Sequence, residues 1–149
     1  IFHLLKYRSH IRDMHFMLQR EVVERLAASP GGGQWGRLGI MTQLFCEVDG
    51  LFDVPPEAFN PRPKVMSAVV RLRIRADVEL DQQTHSDLDS LVRAAFGQRR
   101  KTLRNGLKQY MSSDEIEQAG VDPSQRPEQL SLDAFLQLAQ RYREQQIKP

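Results

Sequence analysis

The apolar positions of the first half of the chain change spacing repeatedly, and each change marks an element. Met14 to Gln19 (Met-His-Phe-Met-Leu-Gln) is a short apolar run of buried-strand length. From Arg20 to Ala28 the apolar residues Val22, Val23, Leu26 and Ala27 recur at helical spacing, and Ser29-Pro30-Gly31-Gly32-Gly33 ends the element. Arg37 to Cys46 repeats the helical pattern with Leu38, Met41, Leu44 and Phe45. Two strands are predicted next, Val48 to Val54 and Val65 to Ile74, around a loop that holds Pro55, Pro56, Pro61 and Pro63. In the second strand Val70, Leu72 and Ile74 alternate with Arg71, Arg73 and Arg75, so one face is buried and the other basic. Residues 1 to 8 read as the end of a helix.

The second half is helical throughout. Leu88, Leu91, Val92, Ala95 and Phe96 keep helical spacing, a helix follows near Arg100 to Tyr110, and Gln82 to Ser86 reads as linker. Ser112-Ser113-Asp114-Glu115 opens a short helix with a capping signature that Gly120 closes. The last helix runs from about Ser131, its N-cap candidate, to Arg143, with Leu132, Phe135, Leu136, Leu138 and Ala139 inward. The expected fold class is α/β, the second half of an open sheet and hence incomplete, followed by a small all-α domain. Its expected parts are 1–76, a linker at 77–86 and a helical domain at 87–149.

Composition narrows the function classes. The 149 residues are 40% hydrophobic and 27% charged, an ordinary globular balance for about one domain. Apolar runs are short, such as Phe16-Met17-Leu18, far below the roughly 20 residues that a membrane-spanning helix needs. No membrane partner is expected. A start at Ile1, inside an apolar stretch, reads as a cut from something longer. The single cysteine, Cys46, lies among Leu44 and Phe45, which points to a core thiol and a reducing, cytoplasmic location.

Net charge is only +2, yet the charges are sorted. Residues 58 to 76 hold Arg62, Lys64, Arg71, Arg73 and Arg75 with no acid, and residues 93 to 108 hold Arg93, Arg99, Arg100, Lys101, Arg104 and Lys108 with none. Between them, residues 77 to 92 carry Asp77, Glu79, Asp81, Asp87 and Asp89 without a Lys or Arg. Two basic blocks around an acidic spacer fit an anionic partner held at two places, nucleic acid above all. Two solvated faces would give the same counts.

Few motifs carry chemistry. Gly31-Gly32-Gly33-Gln34-Trp35-Gly36 satisfies the spacing of a dinucleotide loop, but it follows a helix where that loop must follow a strand, so it reads as a flexible loop. His3, His10, His15 and His85 lack partners at metal-ligand spacing, and no metal is expected. Phe59-Asn60-Pro61-Arg62-Pro63-Lys64-Val65 is the most unusual stretch. Its prolines fix their own φ and push the preceding residues toward extended backbone. A rigid aromatic beside Arg62 and Lys64 can stack on an unpaired base while the cations hold phosphates; a Phe folded back into the core is the alternative.

The run Phe59 to Leu72, FNPRPKVMSAVVRL, closely resembles a segment of ribosomal RNA adenine dimethyltransferases of the KsgA (RsmA) type. MLQREVVERL (Met17 to Leu26), GRLGIMTQ (Gly36 to Gln43) and FGQRRKTLRNGLK (Phe96 to Lys108) resemble the same family in the same order. Met66 stands where Asp is commoner and Gly39 where Ser is commoner. Family members begin with a Gly-rich S-adenosylmethionine loop, an acidic residue for the ribose and an Asn-Leu-Pro-Tyr catalytic segment, none of which occurs in this sequence.

The resemblance implies the C-terminal part of a Rossmann-like methyltransferase sheet joined to a helical domain. It implies an enzyme that dimethylates N6 of two adjacent adenines in small-subunit ribosomal RNA during ribosome biogenesis, with this chain alone inactive. S-adenosylmethionine is the implied cofactor of the longer protein, with none expected on this chain alone. Phe59 matches an aromatic that grips the flipped base, and Arg62 and Lys64 flank it. Arg99, Arg100, Lys101, Arg104 and Lys108 would contact phosphates of an immature small ribosomal subunit, with Arg100, Arg104 and Lys108 sharing one helix face. An incomplete sheet would also leave an edge open to self-association. Two rival readings are a non-catalytic RNA-binding module of ribosome assembly and an erythromycin-resistance type of large-subunit methylase.

Overall fold

The computed structural model describes residues 1–98 and 100–147. They form two compact units, and the chain passes between them three times. The first unit comprises Ile1–Ala28 and Leu38–Val78; the second comprises Ser29–Arg37 and the residues from Glu79 onward.

The first unit opens with α1 (Phe2–Leu5) and a 3-10 turn at Arg8–His10, then β1 (Asp13–Gln19) and α2 (Arg20–Leu26). It resumes with α3 (Arg37–Gln43), β2 (Cys46–Val54), a 3-10 turn at Pro56–Ala58 and β3 (Ser67–Ile74). Cys46 thus opens a strand instead of closing the preceding helix, which stops at Gln43. The sheet order is β1-β3-β2, and β3 runs antiparallel to both neighbours. Met14, Ala68, Val70 and Leu72 line its inner face and are buried, with Val23 and Leu26 of α2 and Ile40 and Met41 of α3 equally buried. The helix α2 touches all three strands.

Alternation decides what each face of the sheet is worth. A fully buried aliphatic side chain such as Val70, Leu72 or Leu26 stabilises the fold by roughly 1.5–3 kcal/mol, whereas an exposed ion pair contributes about 0–1 kcal/mol. The inner face therefore holds the unit together and the outer face is free to carry charge. Across the outer face Arg71 lies opposite Asp49 and Arg73 opposite Glu47. The register shifts between Gly50 and Phe52, a bulge where α2 comes close: a Cβ on Gly50 would lie 3.7 Å from a methyl of Val23.

The second unit contains α4 (Gln82–Phe96), α5 (Leu103–Gly106), α6 (Ser113–Gln118), a 3-10 turn at Pro127–Gln129 and α7 (Leu132–Ile147). Its core is the seam between α4 and α7, with Leu88, Leu91, Val92 and Ala95 against Phe135, Leu138 and Ala139, all buried. Phe96 and Phe135 pack with ring centroids 5.9 Å apart. The capping expectations at Ser112 and Ser131 hold: Ser112 and Glu115 form a reciprocal capping box, and the Ser131 hydroxyl accepts from the Ala134 N–H at 3.1 Å. Gly120, at φ +80°, follows the C-cap Ala119 of α6 in a conformation that suits glycine.

Two expectations are corrected. Gln82 to Ser86 is the first turn of α4 and not linker, because the Asp81 carboxylate accepts the N–H groups of Gln83 and Thr84 at 3.0 and 2.9 Å and so starts the helix. The Gly31–Gly36 stretch is not a loose loop. The Gly31 N–H donates to the Glu128 carbonyl at 2.7 Å, the buried Trp35 indole N–H donates to the Leu130 carbonyl at 2.8 Å, and Arg37 pairs with Asp89 at 2.7 Å. Those three ties fasten residues 29–37 into the helical unit.

Candidate nucleic-acid interface

The Pro-rich loop joins β2 to β3 at the end of the sheet where β1 passes into α2. There Gln19 and Val54 both lie opposite Ser67, and the Arg20 N–H donates to the Met66 carbonyl at 2.9 Å. Phe59 ends the 3-10 turn in extended backbone (φ −118°, ψ 149°), its N–H donating to the Pro56 carbonyl at 3.2 Å. The Asn60–Pro61 peptide that follows is cis. The Phe59 side chain is half-buried, between the two positions the sequence left open. Arg62 and Lys64 are both exposed, but they differ. Arg62 pairs with Glu57 of the same loop, while Lys64 has no carboxylate in ion-pair range among the described residues. The structure thus places Lys64 as an open cation and Arg62 as a neutralised one.

An apolar patch missed by periodicity lies at the same end of the sheet. Met17 and Phe52, 53% and 60% exposed, both lie opposite Val69 on the outer face. The bulge after Gly50 breaks the alternation of β2, so a strict period-2 reading cannot assign Phe52 to a face.

The second basic block lies on the helical unit. Arg99 falls outside the described residues. Arg100 and Lys101 are exposed in the turn after α4, Arg104 is exposed on α5, and Lys108 is exposed in the turn after it. The expected helix from Arg100 to Tyr110 is reduced to the single turn Leu103–Gly106, so Arg100, Arg104 and Lys108 do not form one helical ridge. Local competition explains the change. Thr102 is extended (φ −72°, ψ 163°), and the N–H groups of Leu103 and Arg104 donate to the carbonyls of Gln125 and Pro123 at 2.9 and 3.0 Å. Leu103 and Leu107 point into the core, both fully buried, and Gly106 lets the turn approach α4, where an added Cβ would lie 3.4 Å from Ala95 Cα.

The electrostatics of this turn are one-sided. Among the described residues, none of Arg100, Lys101, Arg104 and Lys108 lies within ion-pair distance of a carboxylate. Three acids of the unit, Asp81, Glu115 and Asp122, are instead engaged in helix caps and a turn. Hydrogen bonds from the Ser124 hydroxyl and N–H hold the Asp122 carboxyl below its ordinary range, with a smaller pull from Arg104. Hydrogen bonds from the Thr84 hydroxyl and N–H do the same for Asp81, and the Ser112 backbone N–H for Glu115.

Cys46 is buried, and burial pushes its thiol up to about 11 against the opposing pull of Arg75, so it is a poor nucleophile at neutral pH. Among the described residues no cluster of three or more His, Cys, Asp or Glu could hold a metal ion, and no helix is long and apolar enough to cross a membrane.

Residues 1–144 match the family described as Ribosomal RNA adenine dimethylase. The chain is 62% identical over 148 residues to the Ribosomal RNA small subunit methyltransferase A of Pseudomonas fluorescens (strain Pf0-1), covering 99% of this chain and 54% of that protein. It is 54% identical over 144 residues to the protein of that name from Chromohalobacter salexigens, covering 93% and 49%. Among solved structures it resembles a dimethyladenosine transferase from Plasmodium falciparum, with TM-score 0.84 and 26% identity over 98% of this chain and 62% of that one. The fold also resembles that of the 23S rRNA methyltransferase ErmE, with TM-score 0.65 over 89% and 55%. The chain spans about half the length of the curated relatives it matches. The α/β sheet with its helical companion, the ordered motifs and the match over residues 1–144 together place this chain in the ribosomal RNA adenine dimethylase family.

Proposed function

We propose that this chain is the RNA-gripping half of an S-adenosylmethionine-dependent enzyme that dimethylates two adjacent adenines of small-subunit ribosomal RNA. The observation that carries the reading is Phe59, half-exposed on extended backbone at the rim of the sheet, with the open cation Lys64 close by in sequence. A target adenine must leave its stack to be methylated, and an aromatic face beside a phosphate-binding cation is what holds an unstacked base. Arg62, drawn to Glu57, orders the loop and has less charge to offer RNA than Lys64.

The helical unit supplies the second grip. Arg100, Lys101, Arg104 and Lys108, joined in sequence by Arg99, form a basic turn suited to the phosphates of an immature small subunit. Relatives named for the small-subunit methyltransferase reach 54–62% identity, which favours small-subunit over large-subunit RNA. The cofactor is not assigned to these residues. The one Gly-rich stretch follows α2, not a strand, and its Gly31 N–H is already given to Glu128. With β1 and β2 as sheet edges, the unpaired side of β1 is open to a further strand, from the rest of the enzyme or from a second copy. A cytoplasmic site of action follows from the substrate.

The test is direct binding of this chain to small ribosomal subunits that lack the dimethylation, alongside large subunits and a titration with S-adenosylmethionine. The proposal requires preference for the undimethylated small subunit and no heat with S-adenosylmethionine. Equal binding to both subunits would overturn the substrate assignment, and micromolar cofactor binding would overturn the division of labour. Light scattering over a concentration series reads self-association, and a strict monomer would remove the second copy.

A further inference from the structure

At the end of the sheet away from Phe59, the segments before β1 and after β3 enclose a groove of about 560 Å³ within the first unit. Its polar lining is Lys6, Arg8, Ser9, Arg12 and Arg75, four cations and a hydroxyl, with no carboxylate among the lining residues. The backbone fixes the two walls side by side: the Ile74 N–H donates to the Arg12 carbonyl at 3.0 Å, and the Arg75 N–H to the Phe45 carbonyl at 2.8 Å. Arg8 is pre-positioned, its guanidinium 4.3 Å above the centroid of the buried Phe45 ring and one N–H directed to the Leu5 carbonyl at 3.4 Å. A guanidinium has five N–H donors, so that contact leaves others for a ligand.

What sets this groove apart is that unpaired cations are gathered around one concavity, whereas elsewhere in the unit, apart from Arg25 and Lys64, the Lys and Arg side chains are matched by acids. Arg20 pairs with Glu24 and Asp53, Arg62 with Glu57, Arg71 with Asp49, and Arg73 with Glu47 and Asp49. Lys6, Arg12 and Arg75 have no side-chain hydrogen bond or ion pair among the described residues, and the neighbouring Asp13 is within 3.4 Å of His15. Four cations around one concavity repel each other and focus a positive potential into it, an arrangement with no benefit to folding and a clear one to anion capture. The aliphatic wall of Ile11, Ile74 and Val78 suits ribose, and the volume exceeds that of a single phosphate.

We propose that this groove is a second RNA site, binding the sugar-phosphate backbone of a segment flanking the target loop. The proposal rests on the reading of the chain as an RNA-methylating family member. β1 spans seven residues at about 3.3 Å each, so the groove lies on the order of 20 Å from the Phe59 end of the sheet, too far to hold the target nucleotide itself. Its cations are matched to phosphate oxygens, so it contributes affinity and orientation through the sugar-phosphate backbone.

The test is a binding titration of the whole chain with an RNA hairpin whose loop holds two adjacent adenines, repeated over a range of KCl concentrations. The triple variant Lys6→Gln/Arg12→Gln/Arg75→Gln should lower affinity by about tenfold or more and flatten the log–log salt slope by roughly 2, as expected for losing two to three phosphate contacts. The charge-keeping variant Lys6→Arg/Arg12→Lys/Arg75→Lys should retain the slope, which separates lost charge from lost folding. An unchanged slope in the glutamine variant, or equal loss in both variants, overturns the groove as an RNA site. So does competition by inorganic phosphate without any effect of the variants on RNA. Failure of the parent reading looks different: a salt slope that depends on the groove, with no preference for the undimethylated small subunit, keeps the groove and removes the substrate.

Discussion

Arg71 and Arg73 on β3 each face a carboxylate of β2, with Arg71–Asp49 at 3.0 Å and Arg73–Glu47 at 2.7 Å, whereas Arg100, Lys101, Arg104 and Lys108 stand on and around a single helical turn with no carboxylate in ion-pair range among the described residues. The two stretches carry similar runs of basic residues in sequence, and the fold gives them different fates. Strand register places a fixed neighbour about 5 Å across the ladder, so an acid at the right position on β2 neutralises each arginine. A turn has no such neighbour. A surface pair of this kind adds about 0–1 kcal/mol to stability, so its main effect is to cancel charge. A basic run therefore indicates nucleic acid only where the fold leaves its charges uncancelled.

The second set depends most on the packing that presents it. Leu103 is fully buried beneath Arg104, and Leu103→Ala should cost about 2–5 kcal/mol in urea unfolding. A loss below about 0.5 kcal/mol would mean that the turn is not anchored by packing. Next in size is Phe59→Ala, which should weaken binding of an adenine-bearing RNA loop by about 1–3 kcal/mol while Phe59→Tyr retains it. Loss in both variants would point to a folding role for the ring.

Acidification separates the two units without mutation. Asp81, Glu115 and Asp122, held low by hydrogen bonds at helix starts and turns, all lie in the helical unit. Burial alone would raise the Asp89 carboxyl, yet its hydrogen bonds and charge contacts with Arg37 and Arg93 outweigh that and hold it low as well. A carboxylate lowered on folding contributes stability above its unfolded value, near pH 4, and loses it as pH falls through the folded value. Amide exchange in α4 and α6 should therefore accelerate below about pH 4, and protection that survives undiminished to lower pH would contradict the capping assignment. The smallest effect is Asp49→Asn, which uncancels Arg71: stability should change by less than about 1 kcal/mol and RNA affinity should rise slightly. A fall in affinity would show that the pair itself is needed.

Much of this was legible in the sequence. Alternation placed Val70 and Leu72 on the buried face of β3 and Arg71 and Arg73 on the other, as the structure has them, and Ser112, Ser131 and Gly120 read correctly as helix boundaries. What was hidden depended on contacts distant in the chain. The Gly31–Gly36 stretch looked loose because its partners, the Glu128 and Leu130 carbonyls, lie about a hundred residues away. The helix expected from Arg100 failed because Pro123 and Gln125 offer competing acceptors. Arg62 looked as open as Lys64 until the loop brought Glu57 beside it. Lys6, Arg8 and Arg12, three cations without an acid in seven residues, show no site in sequence because they join Arg75 only through the pairing of β1 with β3.

The most direct test of the central claim compares two charge variants in binding to undimethylated small subunits at physiological salt. Arg99→Glu/Arg100→Glu/Lys101→Glu should abolish binding, because it reverses a basic block whose described members, Arg100 and Lys101, have no carboxylate in ion-pair range among the described residues, while Arg71→Gln/Arg73→Gln should leave it nearly unchanged. Unchanged affinity in the first variant, or loss in the second alone, would contradict the account.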